Sequence, residues 1–363
     1  MTDTINDYVR LREILDTHPS GCPDSPEIQE ILRIFFTSDE VHVALGLGFR
    51  PLPLKTVAQK RNVDETHAFA CLESLANKGI VFAKQKDGVW HYALLPVMPG
   101  LFEFPYMKNN PDPMLEKLDT LWKKYMVKLG KDFGSKSTSF SRIVPIQELI
   151  ESKPDVLTYE NLNHMIDQAK VFGIGKCACR SIEKKCNAPI EACMMFDDTC
   201  TYLVERGFGR YITKEEMKEK LKVFDALGLV HQINNAMDRL TFICNCCPCC
   251  CGLLRSYTDL NNPYVLTTSA YIPQLDETRC IGCGVCADER CPMKVIEMKH
   301  NHPVINEDRC IGCGLCVTGC PQEALSLIRR SNVKEPAPTN REMGLRILKD
   351  KGKLEAFLPH ILS

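Results

Sequence analysis

Apolar residues recur at helical spacing through Glu27–Phe36, Pro53–Lys60 and Asp64–Lys78, the last opened by Asp64 and stopped by Gly79. The period then changes. Ile80–Lys84 and Val89–Leu95 read as the strands of a hairpin turned at Lys86, Asp87 and Gly88. Residues 96–112 are rich in proline and read as a connector. A helix over Met114–Leu129 follows, with the packing stripe Leu115, Leu118, Trp122, Tyr125, Met126 and Leu129. After the polar stretch Gly134–Ser141, the pattern predicts a helix over Tyr159–Lys170 and a strand over Val171–Gly175. Thr213 and Glu216 form a capping box for a helix that runs through Leu227 and stops at Gly228, and residues 229–243 read as a second hairpin. An amphipathic helix over Arg341–Asp350 ends the series. The expected fold is α+β, with a helix-and-hairpin domain at 1–100, a helical connector at 101–150, a Cys-rich central domain of α/β type at 151–262, a further domain at 270–330 and a tail at 331–363.

The composition is that of an ordinary soluble protein: 363 residues, 44% apolar and 25% charged, enough for about two or three domains. A formal net charge of -1 argues against a generic polyanion binder. Met1–Arg10 shows no basic region followed by an apolar core, and no apolar run approaches the length of a membrane span, so a cytoplasmic location is expected. Cysteine changes the picture. With 21 cysteines and no export signal in view, metal ligation is expected rather than disulfides.

Eight of these cysteines form two runs, Cys280-x2-Cys283-x2-Cys286-x4-Cys291-Pro292 and Cys310-x2-Cys313-x2-Cys316-x3-Cys320-Pro321. A [4Fe–4S] cubane needs four converging thiolates, and a tight C-x2-C-x2-C loop supplies three of them. Zinc sites instead use C-x2-C pairs set apart by longer stretches. The runs are an internal repeat: Arg279-Cys-Ile-Gly-Cys-Gly-Val-Cys matches Arg309-Cys-Ile-Gly-Cys-Gly-Leu-Cys. On these motifs residues 276–328 resemble the two-cluster bacterial ferredoxins, in which the fourth Cys of each run ligates the other cluster. The resemblance implies two [4Fe–4S] clusters, cluster I on Cys280, Cys283, Cys286 and Cys320, and cluster II on Cys310, Cys313, Cys316 and Cys291. It also implies electron exchange with a partner oxidoreductase. Ala287–Arg290 is one residue longer than the family's spacing, so the loop before Cys291 is expected to bulge.

The central region adds Cys177, Cys179, Cys186, Cys193 and Cys200, then Cys244, Cys246, Cys247, Cys249, Cys250 and Cys251. Each group follows a predicted strand, Val171–Gly175 or Leu240–Ile243, and two strands ending at one sheet edge would deliver both groups to one metal site. Soft thiolates select iron–sulfur clusters or zinc. The neighbouring repeats favour a third Fe–S cluster, with structural zinc or a redox-active dithiol or persulfide as alternatives. Cys177, Cys179, Cys186 and Cys193 are the expected ligands because they form the more regular set. Cys244, Cys246, Cys247, Cys249, Cys250 and Cys251 are alternative or additional ligands, since six cysteines in eight residues cannot all face one cluster. Arg180 either steadies a negatively charged cluster or makes a surface ion pair. Cys22 and Cys71 read as core or surface thiols, and His300 and His302 as loop residues. The Cys-Ala-Cys-Arg and Cys-Cys-rich segments are similar to those of a widespread group of ferredoxin-domain proteins of anaerobes, a likeness that names no reaction. No residue is assigned a catalytic role.

The helices and hairpin of residues 1–100 resemble a winged helix-turn-helix, which implies a recognition helix at Asp64–Lys78. Before Lys78 that helix offers Asp64, Glu65 and Glu73 but no Arg or Lys, and DNA reading needs basic side chains there. Lys55, Lys60, Arg61, Lys84 and Lys86 add only a modest basic patch. Protein docking or homodimerisation is expected of this domain in place of nucleic-acid binding. The leading expectation is an iron–sulfur electron-transfer protein of anaerobic metabolism, linking two ferredoxin-type clusters and a third Cys-ligated centre to a partner oxidoreductase or substrate. The alternatives are an Fe–S redox-sensing transcription regulator and a reductase whose substrate binds at the central cluster.

Overall fold

The computed structural model describes residues 2–109, 113–150 and 156–362. Helices α1 (Thr2–Asp16), α2 (Pro26–Phe35) and α3 (Ser38–Ala44) lead the chain. α2 starts where the pattern places it: Ser25 Oγ accepts from the Ile28 amide, and Pro26 occupies a first-turn position that needs no N–H. Its stripe of Ile28, Ile31, Leu32 and Phe35 is fully buried. β1 (Leu52–Pro53), α4 (Leu54–Arg61), α5 (Glu65–Lys78), β2 (Val81–Lys86) and β3 (Val89–Leu94) follow, and the strands form a small sheet of order β1-β3-β2. Asp64 caps α5 at the His67 amide, and Gly79 ends it at a φ of 79°.

Two turns, Val97–Leu101 and α6 (Phe104–Met107), lead to α7 (Leu115–Asp132). Five residues of its expected stripe, Leu115, Leu118, Trp122, Tyr125 and Leu129, are buried. The Trp122 ring lies 5.2 Å from that of Phe102 and 6.4 Å from that of Phe35, tying α7 to the N-terminal helices.

A seven-stranded sheet comes next. Its strands are β4 (Ser141–Val144), β5 (Phe172–Lys176), β6 (Glu191–Phe196), β7 (Arg210–Tyr211), β8 (Val230–Asn234), β9 (Phe242–Cys246) and β10 (Leu266–Thr267), in the order β10-β4-β8-β9-β6-β5-β7. The sheet reaches past the expected limits of 151–262 at both ends, taking in β4 and β10. β5 and β9 each pair antiparallel with β6, so they run parallel to one another and end at the same edge. The connecting helices are α8 (Leu162–Gln168), α9 (Ala178–Glu183), α10 (Asp197–Glu205), α11 (Lys214–Ala226) and α12 (Gly252–Thr258). One face of the sheet packs Ile174, Met194, Ile233 and Ile243 against Leu162 and Ile166 of α8 and Leu221 and Phe224 of α11. The opposite face joins a core continuous with α7 and the N-terminal helices.

The N-terminal unit is docked on α10. The Tyr202 hydroxyl donates to the Val81 carbonyl at 2.8 Å, and Lys84 pairs with Asp198 at 2.7 Å. Just past α10, Arg206 pairs with Glu73 at 3.0 Å and donates to Asn77 Oδ1 at 2.7 Å, so both residues of α5 are engaged within the protein.

The C-terminal segment contains two antiparallel pairs, β11 (Tyr271–Leu275) with β14 (Leu325–Arg329) and β12 (Ile296–Lys299) with β13 (His302–Ile305), together with the single turn α13 (Leu315–Thr318). Backbone bonds fasten it to the large sheet: Ile146 N donates to Cys313 O at 3.1 Å and Ser269 N to Ile311 O at 3.0 Å. Arg329 grips the Glu160 carboxylate with two bonds of 2.9 and 3.0 Å. The tail helix α14 (Asn340–Asp350) buries Met343 and Ile347 beside Phe140.

Glu160 is 7% exposed and Arg329 keeps 27% of its side chain in water. Replacing Glu160 by Ala leaves the guanidinium without its bidentate partner. We expect a loss of about 1–2 kcal/mol, below the cost for a fully buried pair, measured by urea unfolding under anaerobic conditions.

Candidate metal centres

The C-terminal repeat builds two thiol-lined cavities. Cys280, Cys283, Cys286 and Cys320 line one, with Leu275, Ile281 and Met298 among its walls. Cys291, Cys310, Cys313 and Cys316 line the other, with Val295 and Ile311. Each cavity thus takes three thiols from one run and the fourth from the other. Backbone amides face the exchanged sulfurs at matching places, Val295 N to Cys291 Sγ at 3.4 Å and Ala324 N to Cys320 Sγ at 3.3 Å. Four thiols, apolar walls and amide donors fit a [4Fe–4S] cluster in each cavity. Gly312 sits at a φ of +70°, and a Cβ there would strike the Tyr271 carbonyl.

The extra residue before Cys291 is absorbed in a specific way. Cys286–Arg290 forms one π-helical turn, whereas the matching Leu315–Thr318 of the second run is an ordinary α-turn. A π-turn holds one more residue in the same advance, so Cys291 still reaches its cavity. Arg290, at the end of the turn, donates to the Leu315 carbonyl at 3.1 Å and to the Ala226 carbonyl at 3.4 Å, joining both runs to the C-terminal end of α11.

The two cavities differ in exposure. All four thiols of the second are buried, while Cys283 of the first is exposed and its neighbour Ile281 is 65% exposed. Burial pushes the Cys313 thiol up to about 12 and raises Cys310 and Cys316 as well, so ligation there must displace protons.

The central cysteines resolve into two groups. In β9, residues two apart share a face, so Cys244 and Cys246 point the same way and Asn245 the opposite way. Cys193 of β6 is the direct cross-strand partner of Cys244. β5 ends beside them, with Cys177 capping α9 and Cys179 in its first turn, and Cys251 caps α12. These six thiols perturb one another in a closed ring, Cys177–Cys179–Cys251–Cys246–Cys244–Cys193 and back to Cys177. Their acidities alternate around it. Cys177, Cys251 and Cys244 are lowered by their two neighbouring thiols. Cys179, Cys193 and Cys246 are raised by theirs. Six converging thiols are a soft donor set of the kind that binds iron–sulfur clusters or zinc.

The second group is Cys186, Cys247, Cys249 and Cys250, whose sulfurs all lie within 4.8 Å of one another. Cys247 and Cys250 pack into the core on the α8/α11 face of the sheet. Cys246 and Cys251 of the ring belong to the core of the opposite face.

Arg180 serves both groups. It is 3% exposed, donates through Nε to Cys247 Sγ at 3.4 Å and through Nη1 to the Pro189 carbonyl at 2.7 Å, and bonds the Asn245 carbonyl through Nη2. Burial works against its charge, but the Cys177, Cys247 and Cys246 sulfurs outweigh it and raise the guanidinium. Asn245 in turn meets His231 Nδ1 at 2.7 Å, and His231 Nε2 meets Asp225 at 2.6 Å. Gln232 Nε2 donates to Cys251 Sγ at 3.5 Å. Burial, with the Cys244 and Cys177 sulfurs nearby, pushes the Glu103 carboxyl up to about 8.

Of the expected set, Cys177, Cys179 and Cys193 come together in the ring, and Cys186 lies in the second group. The six cysteines of residues 244–251 divide three and three. Cys200 joins neither: it packs near Gly173, and burial pushes it up to about 12. Cys22 and Cys71 are buried in the N-terminal core. Gln232, Asn245, His231 and Glu103 escape sequence reasoning because each reaches the site through folding; only the alternation of Asn245 with Cys244 and Cys246 marks one of them in advance.

A family model described as the 4Fe-4S dicluster domain matches residues 272–332, which form a ferredoxin-like Fe–S segment. The central thiols lie outside the matched residues. No curated protein and no solved structure matches the chain.

The exchanged ligand gives a direct test. Cys291→Ser should remove about four irons, those of one [4Fe–4S] cluster, while Cys71→Ser removes none, as measured by iron and sulfide assay of anaerobically purified protein. Equal iron in the two variants would show that Cys291 is not a ligand.

Proposed function

We propose that this chain is an iron–sulfur electron-transfer protein in which the ferredoxin-like segment serves a third centre at the six-thiol ring, for the benefit of a partner oxidoreductase or a substrate. The observation that carries this reading is the course of α12. Cys251 of the ring caps the helix, and Tyr257 near its other end is buried within electrostatic reach of Arg309 and Cys310 of the second cavity. Six residues of helix advance about 9 Å, so one short buried helix separates the ring from a ferredoxin-type site.

Clusters bound at these sites supply one-electron transfer. Cys280, Cys283, Cys286 and Cys320 would hold the outer cluster, and Cys291, Cys310, Cys313 and Cys316 the inner one. Cys177, Cys179, Cys193, Cys244, Cys246 and Cys251 would hold the third, with more thiols than the four that one cubane uses. Exposed Cys283 and Ile281 mark the first cavity as the side where a redox partner docks. Burial of the second cavity against Ile146 and Ser269 excludes water between it and the sheet. Arg180 holds a permanent positive charge beside thiolates that would otherwise repel. The regulator reading loses support, because α5 turns Glu73 and Asn77 to Arg206 instead of a DNA groove.

Iron and sulfide content with EPR of the reduced protein tests the proposal. Above eight irons per chain are expected, about eight being the share of two [4Fe–4S] clusters. Cys244→Ser should remove the excess and its EPR signal, and leave the ferredoxin-type signals unchanged. Iron that stops at about eight in the unaltered protein sinks the three-centre reading.

A further inference from the structure

We infer that Cys186, Cys247, Cys249 and Cys250 form a separate site for a single tetrahedral metal ion, with zinc as the resident ion. The carrying observation is how closely the sulfurs approach. Cys186 and Cys247 are 3.6 Å apart, Cys249 and Cys250 3.7 Å, and Cys186 and Cys250 3.9 Å, with every pair inside 4.8 Å. Four thiolates about 2.3 Å from one ion at a tetrahedral centre are separated by about 3.8 Å. A cubane seats each thiolate on its own iron and so spreads the sulfurs further. The molecule carries its own comparison: among the described residues neither ferredoxin-type set closes to 4.8 Å, and each is instead spread around the walls of its cavity.

The surroundings are those of a ligand site. The Ala188 amide faces the Cys186 sulfur, the Lys185 amide the Cys250 sulfur, and Arg180 Nε the Cys247 sulfur. Such donors orient thiolates and offset their charge. One divalent cation in four thiolates carries a net charge of about -2, and the Arg180 guanidinium brings the assembly to about -1. On loading, each thiol gives its proton to solvent, and no electron moves. No ring thiol belongs to the group of sulfurs that closes to 4.8 Å.

Four protein thiolates leave no open coordination position, which marks a structural site. Its role follows from the chain. Cys247, Cys249 and Cys250 lie between Cys246 and Cys251 of the ring, so an ion that pins this turn fixes how β9 and α12 present their ring thiols. Cys186 fastens the same turn to the loop after α9, which carries Cys177 and Cys179 into the ring. The inference does not depend on what the ring holds.

Elemental analysis and zinc K-edge absorption of the full chain, purified anaerobically from zinc-replete culture, provide the test. One zinc per chain with four sulfur neighbours at about 2.3 Å is expected. Cys186→Ser and Cys249→Ser should each lose that zinc while the ferredoxin-type EPR signals persist. Zinc absent from the unaltered protein, zinc with nitrogen or oxygen neighbours, or zinc retained by both variants overturns the inference. So does the high-spin ferric signal of a single iron in four thiolates, or a Cys249–Cys250 disulfide in anaerobically alkylated protein.

Discussion

The register of β6 against β9 is the constraint on which the geometry of the central thiols depends. With Cys193 opposite Cys244, strand alternation puts Cys193, Cys244 and Cys246 on one face, beside the ends of β5 and α12. A slip of one residue would turn Cys244 and Cys246 to the α8/α11 face and bring Asn245 into the ring. The register is held from the other side too, since Ile243 and Met194 are direct partners and bury their side chains in the core of that face. Apolar packing on one face thus sets the thiol geometry on the other.

Around that register the molecule is graded from surface to interior. The first ferredoxin-type cavity opens to solvent at Cys283, the second is sealed against the large sheet, and the ring lies one short helix further in. Arg290 and the Arg329–Glu160 pair hold this gradient together, one at the inter-run turn and the other at the strand that closes the segment. The π-turn at Cys286–Arg290 belongs to the same device: its added residue places Arg290 where it reaches both Leu315 and Ala226. The departure from the ferredoxin spacing thus places an arginine that ties this segment to the end of α11.

Where function rests on local spacing, the sequence was legible. The eight thiols of the C-terminal repeat converge as their motif implies, because a C-x2-C-x2-C loop needs little beyond its own glycines to close. The capped helices α2, α5 and α11 and both hairpins were readable for the same reason. The ring was not, because its membership is topological. β6 has no alternating or β-branched pattern, so Cys193 could be placed only by regular spacing from Cys177, Cys179 and Cys186. That spacing groups Cys186 with the wrong neighbours in space: the loop after α9 carries it round to the Cys247–Cys250 turn. Arg180 was legible as a cation beside cysteine, but its burial depends on Asn245 and Pro189, which approach only in the folded chain.

The division of residues 244–251 shows why so many cysteines can crowd into one segment. Along β9 the alternation sends Cys244 and Cys246 to the ring. Where the strand ends, the alternation ends with it, and the turn directs Cys247, Cys249 and Cys250 to Cys186 before α12 returns Cys251 to the ring. Thiols that lose their protons on both sides leave negative charge in the interior, and a guanidinium between them is the side chain that keeps its positive charge at any pH a protein meets. Arg180 occupies that place, bonded to Cys247 on one side and raised by Cys177 on the other. An uncharged residue there would leave both groups facing each other across a low-dielectric gap, so the two thiol groups share one balancing charge.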